Sequence, residues 1–409
     1  MRGGTEPSDS NDLTASSCRP RIHTITEEPE MRILIAPDSF KGSNSSLDVA
    51  TAIEQGIYRV FPDAEVEKIP IGDGGEGTVD AMIAADKGEI VEVNVTGPLG
   101  KRVKARYGLL DSATAVIEMA AASGLVLVPE DQRDVKKAGT YGTGELILHA
   151  LEGGVREIIL AIGGSATNDG GTGMARALGY RFLDGEGKEL PSGGAALASL
   201  ETIETGNVDP RIALSSFRVA CDVNNPLTGP RGASAVYGPQ KGARPDDVRL
   251  LDTALGKLAE VVESQLGIKA DQQPGVGAAG GLGYGLVVFC GAKLENGIDL
   301  VLDAVKFEER MRGVDLIITG EGRMDGQTAY GKVPVGVARM AKKAGIPVLA
   351  IAGDVEDDIG AVYENGIDAV MSTVKRAMSL EEAMRNGRSL LVDAAECSMR
   401  LIQLGRGLA

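Results

Sequence analysis

One stretch constrains the fold of this chain more than any other: residues 315–333, with the sequence DLIITGEGRMDGQTAYGKV. It predicts a short apolar strand over 315–319, a glycine-punctuated loop, a cation at Lys332 and a helix over about 335–344. α/β proteins hold phosphate groups with this order of elements, because glycines let backbone N–H groups approach the anion and the helix start adds positive potential. The alternative is a surface turn rich in glycine.

Residues 326–332 read G-x-x-x-x-G-K, a near match to the P-loop pattern. The next residue is Val333 instead of Ser or Thr, so the hydroxyl that binds magnesium in a P-loop is missing. The segment GEGRMD also separates the match from the strand. The pattern therefore favours a nucleotide-phosphate site of another kind.

Composition supports an α/β enzyme. The 409 residues suggest about two or three domains, and 43% hydrophobic content allows a large core. Only 3% of residues are aromatic and none is Trp, so this core must be aliphatic, and 56 glycines without a Gly-X-Y period fit loops between Val/Ile/Leu runs. The net charge of -16 argues against nucleic acid or anionic membrane as a partner, although a locally basic site could still bind an anionic substrate.

Histidine and cysteine are too sparse to define a site. The four cysteines are scattered without C-x-x-C spacing, which disfavours zinc and disulfides, and the two histidines do not cluster. Acid–base work is therefore expected from carboxylates or lysine. No run approaches the roughly 18 apolar residues of a membrane span, and no signal peptide is recognised, so we expect a cytoplasmic protein.

The order of patterns predicts one split domain with a second domain inserted. Residues 1–30 are polar and predict a disordered extension, with Met31 as an alternative start. A β-α-β unit follows, with strands at 31–36 and 65–69 around a helix over 47–60 that Ser45 or Ser46 caps. We predict a Rossmann-like domain from 31–69 and 285–409, and an inserted mixed α/β domain over 70–284.

The inserted region begins with short β-like runs between about 90 and 128, which are EIVEVNV, RVKARYGLL, TAVIEMA and GLVLVP. Helices are predicted at 144–151, 171–179 and 245–266, and strands at 157–162 and 217–221. Strands at 347–352 and 369–372 then restore the β-α alternation after residue 285.

Five clusters of glycine with polar or charged residues carry the candidate chemistry. They are APDSFKGS with Asp38, Ser39 and Lys41; IGDGGEGT with Asp73 and Glu76; GGSATNDGGTG with Ser165, Asn168 and Asp169; ACDVNNPLTGPRGASAVYGPQKGA with Asp222 and Lys241; and GEGRMDGQTAYGK with Glu321, Arg323, Asp325 and Lys332. The first follows a strand, where open α/β sheets bind ligands, although a helix-capping turn would explain it equally well. Capping is also the alternative for Asn168 and Asp169.

Together the clusters supply carboxylates for magnesium, cations for phosphate and glycine nests for oxygens. Phosphoryl transfer needs this set, because it depends on positioning, charge neutralisation and one group that accepts the substrate hydroxyl proton. No dinucleotide fingerprint or EF-hand spacing is present, so NAD and calcium are disfavoured. The clusters favour ATP-dependent transfer over a ligand-binding protein without activity or an oxidoreductase.

The ordered motifs APDSFKGS, GDGGEGT, GGSATNDGG, CDVNNPLTGPRGA, YGPQKGA, GAAGGLG and TGEGRMDGQTAYGK resemble the bacterial glycerate kinase family of type 1, from about Met31 to the C-terminus. The resemblance implies a kinase of glyoxylate and sugar-acid catabolism that uses ATP and Mg²⁺ to convert D-glycerate to 2-phosphoglycerate. A 3-phosphoglycerate product, or another small hydroxy acid as substrate, is the alternative. The resemblance also implies a Rossmann- or flavodoxin-like domain interrupted by the second domain, with the active site in the cleft between them. Whether the protein forms a homodimer is left open.

Within that resemblance the residue roles are hypotheses. Asp73 and Glu76 are the first choice for metal or proton handling, because their loop lies at the predicted domain crossover. Asp169 and Asp222 are the competing candidates for the base or a metal ligand, and Asp73 and Asp222 are the expected Mg²⁺ ligands. Lys41, Arg323 and Lys332 are expected to contact phosphate or carboxylate groups. Ser165 and Asn168 are expected to orient the substrate hydroxyls. Asp38, Ser39, Lys241, Glu321 and Asp325 complete the predicted substrate- or phosphate-binding set.

Overall fold

Two β-sheets dominate residues 31–72, 74–75, 77–326, 328 and 332–408, which are the residues that the computed structural model describes. The strands are β1 (Arg32–Pro37), β2 (Glu65–Lys68), β3 (Glu89–Thr96), β4 (Arg102–Leu109), β5 (Thr114–Glu118), β6 (Glu157–Ala161), β7 (Arg181–Leu183), β8 (Thr202–Glu204), β9 (Ser216–Ala220), β10 (Lys293–Glu295), β11 (Leu316–Met324), β12 (Val348–Val355) and β13 (Ala369–Ser372). The helices are α1 (Ser46–Tyr58), α2 (Thr78–Asp86), α3 (Ala120–Ser123), α4 (Tyr141–Glu152), α5 (Thr172–Ala177), α6 (Ala233–Tyr237), α7 (Pro245–Leu266), α8 (Ala278–Cys290), α9 (Gly297–Ala304), α10 (Phe307–Arg310), α11 (Val333–Lys343), α12 (Gly360–Glu364), α13 (Leu380–Arg385) and α14 (Gly387–Arg406).

The first sheet is parallel throughout and has the order β13-β12-β11-β1-β2. Counted within the sheet, this is the 2-1-3-4-5 order of flavodoxin-like folds, in which the connections change direction between the first and third strands. Here that switch point lies between β1 and β11, and the backbone N–H of Asp38 donates to the Gly320 carbonyl across it at 2.8 Å. The predicted α/β fold with parallel sheets is confirmed.

The second sheet has the order β10-β9-β6-β5-β4-β3. Its strands β3, β4 and β5 pair antiparallel, whereas β5, β6, β9 and β10 run parallel. The carboxyl ends of β6 and β9 therefore meet at one edge, where the loops that follow them can share a site. Strands β7 and β8 form a separate antiparallel pair.

The alternate residues of strand β1 show that the first sheet is covered on both faces. Its residues Ile33 and Ile35 pack in a cluster with α1 and α14, and Leu34 and Ala36 point to the opposite face, among residues of α9 and α11. A strand buried on both faces reads as a continuous apolar run, which is the pattern RILIAP. The second of these clusters also contains Val116 and Ile159 from the other sheet.

Several predicted elements match closely. Helix α7 has the predicted bounds, and the Ser45 side chain caps α1 by accepting from the Asp48 N–H at 3.2 Å. The run GLVLVP, however, was predicted as β-like, and this is wrong: Leu125–Leu127 form a 3₁₀ turn whose Val126 is 83% exposed. The Leu125 N–H donates to the Gly164 carbonyl at 2.8 Å, so a contact with a distant loop overrides the local β preference.

The strand predicted at 315–319 extends further than its apolar run. Strand β11 continues through the GEGRM segment to Met324, because β12 pairs alongside it as far as Val355. Gly320 permits this close approach, since a Cβ there would lie 2.2 Å from the Ile351 carbonyl oxygen. The predicted phosphate loop therefore begins in a strand, and part of it, Gln327 and residues 329–331, lies outside the described residues.

The division of the chain into domains stays a prediction. From Met31 onward the chain forms one compact unit. The predicted boundary at residue 285 falls within α8, and the strand that follows, β10, pairs with β9 in the second sheet. The predicted disordered extension, residues 1–30, lies outside the described residues. Among the described helices, none has both the length and the apolar character needed to cross a membrane.

Candidate active site

A cavity of about 810 Å³ lies at the switch point of the first sheet. We call it the switch-point cavity. Its walls come from the carboxyl ends of β1, β11, β12 and β13 and from the segment around α13, which is the place where open α/β sheets bind ligands. Its lining residues are Asp38, Ser39, Phe40, Lys41, Ser43, Glu321, Gly322, Arg323, Lys332, Gly353, Asp354, Thr373, Val374, Met378, Ser379, Leu380, Ala383, Met384 and Gly387.

A second cavity, of about 480 Å³, lies at the carboxyl ends of β6 and β9. We call it the Lys241 cavity. Its lining residues are Gly74, Gly75, Leu125, Ile162, Gly163, Gly164, Ser165, Ala220, Cys221, Asp222, Val223, Tyr237, Gln240, Lys241, Ala278 and Ala279. Three of the predicted site residues, Ser165, Asp222 and Lys241, line this cavity, and six others line the switch-point cavity.

A network around Lys332 forms one side of the switch-point cavity. The Lys332 Nζ lies 3.2 Å from the Glu321 Oε2 and 3.5 Å from the Asp325 Oδ1. Thr328, which the sequence analysis did not select, donates from its Oγ1 to the Glu321 Oε1 at 2.6 Å. Burial raises the pKa of Glu321, and Thr328 and Lys332 oppose that shift. A buried carboxylate and a half-exposed ammonium thus stand side by side at the end of β11.

The turn after β1 contributes Asp38, Ser39 and Lys41 to the same cavity. Asp38 is 7% exposed, and its Oδ1 accepts from the Ser39 N–H at 2.6 Å. Arg323 lines the cavity too, but its guanidinium pairs with Glu356 and lies 3.9 Å from the Asp354 carboxylate. Arg323 is therefore already paired with two exposed acids.

Lys241 is the most unusual cation of the site. Its side chain is only 2% exposed, and its Nζ donates to the Ser165 Oγ and to the Thr167 carbonyl, both at 2.7 Å. Burial lowers the pKa of the Lys241 ammonium to about 7, and the negative charge of Asp169 partly opposes that shift. A lysine that is not held by a carboxylate in hydrogen-bonding contact can offer its charge to an anionic ligand.

Asp169 lies behind this cavity and does not line it. The Asp169 Oδ2 accepts from the Thr140 N–H at 2.8 Å, the Thr140 Oγ1 at 2.9 Å and the Gly173 N–H at 3.1 Å, and its Oδ1 accepts from the Gly171 N–H at 3.2 Å. Burial raises the pKa of Asp169, whereas these hydrogen bonds lower it. This environment suits a residue that fixes the starts of α4 and α5, and the predicted catalytic role of Asp169 stays a prediction.

Asn168 is equally buried beside it. Its Nδ2 donates to the Ser234 Oγ at 2.9 Å, and its Oδ1 has no hydrogen-bond partner among the described residues. Asp222, in contrast, is exposed and lines the Lys241 cavity, where its Oδ1 accepts from the Gly297 N–H at 2.7 Å at the start of α9. Of the predicted carboxylates within the described residues, Asp222 is the one that lines this cavity.

The described parts of the segment between β2 and α2 lie near each of the two cavities. The Ile71 N–H donates to the Pro37 carbonyl at 3.0 Å, next to the turn that carries Asp38, while Gly74 and Gly75 line the Lys241 cavity. Asp73 and Glu76, the first choice for metal or proton handling, lie outside the described residues. Their predicted roles stay predictions.

Glu118 holds the first turn of α2 and was missed by the sequence analysis. Its Oε1 accepts from the Val79 N–H at 2.9 Å, at the first turn of α2. Burial raises the pKa of Glu118. A carboxylate at the end of the buried strand TAVIE is the sequence signal that could have identified it.

The GAAGGLG motif contributes to the lining of the Lys241 cavity. Ala279, Gly280 and Gly281 have positive φ values of 53°, 69° and 85°, and Ala279 lines the cavity. Gly280 approaches the backbone that carries Asn168 so closely that a Cβ would lie 1.9 Å from the Thr167 carbonyl oxygen. A left-handed alanine beside a cavity is a strained conformation of the kind that clusters at functional sites.

Comparisons with known proteins identify the family of the chain. The model of the glycerate kinase family matches residues 33–403. A glycerate kinase of Halalkalibacterium halodurans is 54% identical over 89% of this chain and 96% of its own length, and the glycerate 2-kinase of Escherichia coli is 51% identical over 87% and 93%. The crystal structure of a protein described as glycerate kinase 2, from Salmonella typhimurium, shares 50% identity and a TM-score of 0.86 over 92% of this chain and all of that one.

A match of this length shows the family. The chain belongs to the glycerate kinase family and is an enzyme of this kind. The resemblance inferred from its glycine-rich motifs is confirmed.

Proposed function

We propose that the enzyme transfers the γ-phosphate of ATP to a hydroxyl of D-glycerate and releases 2-phosphoglycerate and ADP. The observation that carries this proposal is the 51% identity, over 93% of its length, to a relative called glycerate 2-kinase. Transfer to the 3-hydroxyl is the alternative, and a kinase of another small hydroxy acid is the next.

The Lys241 cavity is the proposed glycerate site. At about 480 Å³ it suits a three-carbon acid together with the phosphoryl group that it receives. The Lys241 ammonium can pair with a carboxylate or phosphate oxygen, and Ser165, which already accepts from Lys241, can bind a substrate hydroxyl. Asp222 is the proposed proton acceptor or metal ligand within the described residues, because it is exposed to the same cavity.

The switch-point cavity is the proposed nucleotide site. Lys41 and Lys332 would contact the phosphates, with Asp38, Ser39, Glu321 and Asp325 placed around them. Direct transfer requires the γ-phosphate in one cavity to reach a glycerate hydroxyl in the other. This is supported by Ile71, which bonds to Pro37 next to Asp38 of the switch-point cavity, and by Gly74 and Gly75, which line the Lys241 cavity.

Magnesium fits this donor set. Among the described residues no group of three or more His, Cys, Asp or Glu side chains could hold a metal ion. Mg²⁺ in kinases commonly uses only one or two carboxylates and completes its shell with phosphate oxygens and water. Asp222 and Asp73 are the proposed ligands, and the ion would neutralise the charge of the transferred phosphoryl group.

The product is identified by a coupled assay. Purified enzyme is incubated with ATP, Mg²⁺ and D-glycerate, and enolase is added without phosphoglycerate mutase. We expect the ultraviolet absorbance of phosphoenolpyruvate, which only 2-phosphoglycerate can give. ADP formation without that absorbance would indicate 3-phosphoglycerate, and no glycerate-dependent ADP would reject the substrate.

The proposal needs neither nucleic acid nor membrane, in keeping with a net charge of -16. We infer that the enzyme acts in the cytoplasm, where ATP and organic acids are available. Light scattering of the purified protein distinguishes a monomer from a homodimer.

A further inference from the structure

The switch-point cavity has an apolar wall that the phosphate chemistry does not use. Phe40, Val374, Met378, Leu380 and Met384 line it. Leu380 is 75% exposed, and Val374 and Met384 are each 36% exposed, so large apolar side chains face the cavity without protein covering them. Exposed apolar surface that is grouped in this way generally marks a binding site.

Cationic and apolar surfaces thus share one cavity. Lys41 and Lys332 line it together with the apolar wall, and Gly322 and Gly353 add backbone without side chains. A ligand that matches both surfaces has a flat apolar part joined to an anionic part. Glycerate has no apolar part, whereas a purine nucleotide has both.

A hydrogen bond also connects the segment that carries the apolar wall to the turn that carries Lys41. The Ser43 Oγ donates to the Met384 carbonyl at 2.9 Å, which ties the turn carrying Lys41 to the end of α13. A ligand that contacts both would therefore be held by one connected surface.

We propose that this apolar wall binds the purine base of the nucleotide, with the phosphates extending toward Lys41 and Lys332. The inference rests on the proposed function, because it takes ATP as the phosphate donor. The Met378 and Met384 side chains are flexible and polarizable, which suits contact with an aromatic ring. A volume of about 810 Å³ lies within the range of sites for ligands of nucleotide size.

The absence of Trp from the sequence gives a direct test. The variant Leu380→Trp places one fluorophore on the wall, and Leu214→Trp is the matched control, since Leu214 is 73% exposed and does not line the cavity. Each full-length variant is titrated with adenosine, ADP and tripolyphosphate. We expect adenosine and ADP to change the emission of Leu380→Trp alone, and tripolyphosphate to leave it unchanged while displacing ADP.

Two results would overturn the inference. ADP binding detected by calorimetry with no change in Leu380→Trp emission would place the base elsewhere. Emission that depends on protein concentration and not on ADP would assign the wall to a second copy of the chain. Glycerate-dependent ADP formation by the unmodified enzyme is measured in parallel, so failure of the proposed function is recognised separately.

A second variant tests the wall through kinetics. Ala383→Phe fills part of the cavity beside Leu380. We expect the KM for ATP to rise by about tenfold, which corresponds to roughly 1.4 kcal/mol, while the KM for D-glycerate stays within about twofold. An unchanged KM for ATP, or an equal rise in both constants, would contradict a base-binding wall.

Discussion

At the residue scale, burial decides the chemistry of Lys241. Its ammonium is enclosed by Ser165 and Thr167, and no carboxylate lies within hydrogen-bonding distance of it among the described residues. The charge is therefore available to an anion, but only while the proton is bound.

The activity toward D-glycerate should therefore depend on pH. As the pH rises through about 7, Lys241 loses its proton, and we expect kcat/KM for D-glycerate to fall. The variant Lys241→Met should have a low kcat/KM without this fall. Lys137→Met is the control, because the Lys137 side chain is 78% exposed and pairs with Asp134 at the surface. A wild-type profile in Lys241→Met would show that the titrating group is another residue.

Asp169 and Asp222 make a matched pair for separating stability from catalysis. In Asp169→Asn one of the two accepting oxygens becomes an NH₂ group, so the buried N–H groups that it holds, either those of Thr140 and Gly173 or that of Gly171, lose their acceptor. We therefore expect a loss of roughly 1–3 kcal/mol in the free energy of unfolding. Asp222→Asn keeps an acceptor for the Gly297 N–H and should change stability little, while kcat falls by at least about tenfold. Urea unfolding and turnover measured on both variants check this.

The reverse pattern, with Asp169→Asn stable and inactive and Asp222→Asn fully active, would transfer the catalytic role to Asp169.

Sequence alone could locate Lys41 and Glu321, because each comes shortly after an apolar run, 31–36 or 315–319, that was predicted as a strand of the parallel sheet. Capping was named as the alternative for Asp169, and the N–H groups of Gly171 and Gly173 do donate to it, but the sequence could not show the bonds from Thr140, 29 residues away. The apolar wall was missed for a similar reason: the Ser43–Met384 contact spans 341 residues, and the local pattern around α13 is that of an ordinary surface helix.

At the scale of elements, helix α7 was predictable because its ends carry local signals, Pro245 at the start and Gly267 after the end, where φ is 69°. The left-handed turn in α8 has no comparable signal beyond its glycines. Its conformation is imposed by contact with residues 167–170.

The same turn gives a prediction about two neighbouring residues. Gly280→Ala should abolish stable folding or cost more than about 3 kcal/mol, because its Cβ would meet the Thr167 carbonyl. Ala279→Gly should be neutral or stabilising by up to about 1 kcal/mol, since glycine adopts a φ of 53° without strain. Thermal and urea unfolding of the two variants measure the difference. Equal destabilisation by both would contradict the close approach.

At the scale of the whole molecule, catalysis should require only the chain from Met31. The family match spans residues 33–403 and β1 begins at Arg32. We therefore expect a protein that starts at Met31 to keep wild-type kcat, both KM values and thermal stability. The full-length protein is the control, and a large loss of activity in the shortened chain would assign residues 1–30 a role in the enzyme.

The placement of β1 beside β11 has a consequence for synthesis on the ribosome. Arg32 donates its N–H to the carboxylate of Asp315, 283 residues later, at 2.8 Å. At roughly 5–20 residues per second, the first strand waits about a quarter of a minute to a minute before its neighbour emerges. During that interval one edge of the apolar run RILIAP lacks its native partner, so the nascent chain is most exposed to misassociation before β11 is made.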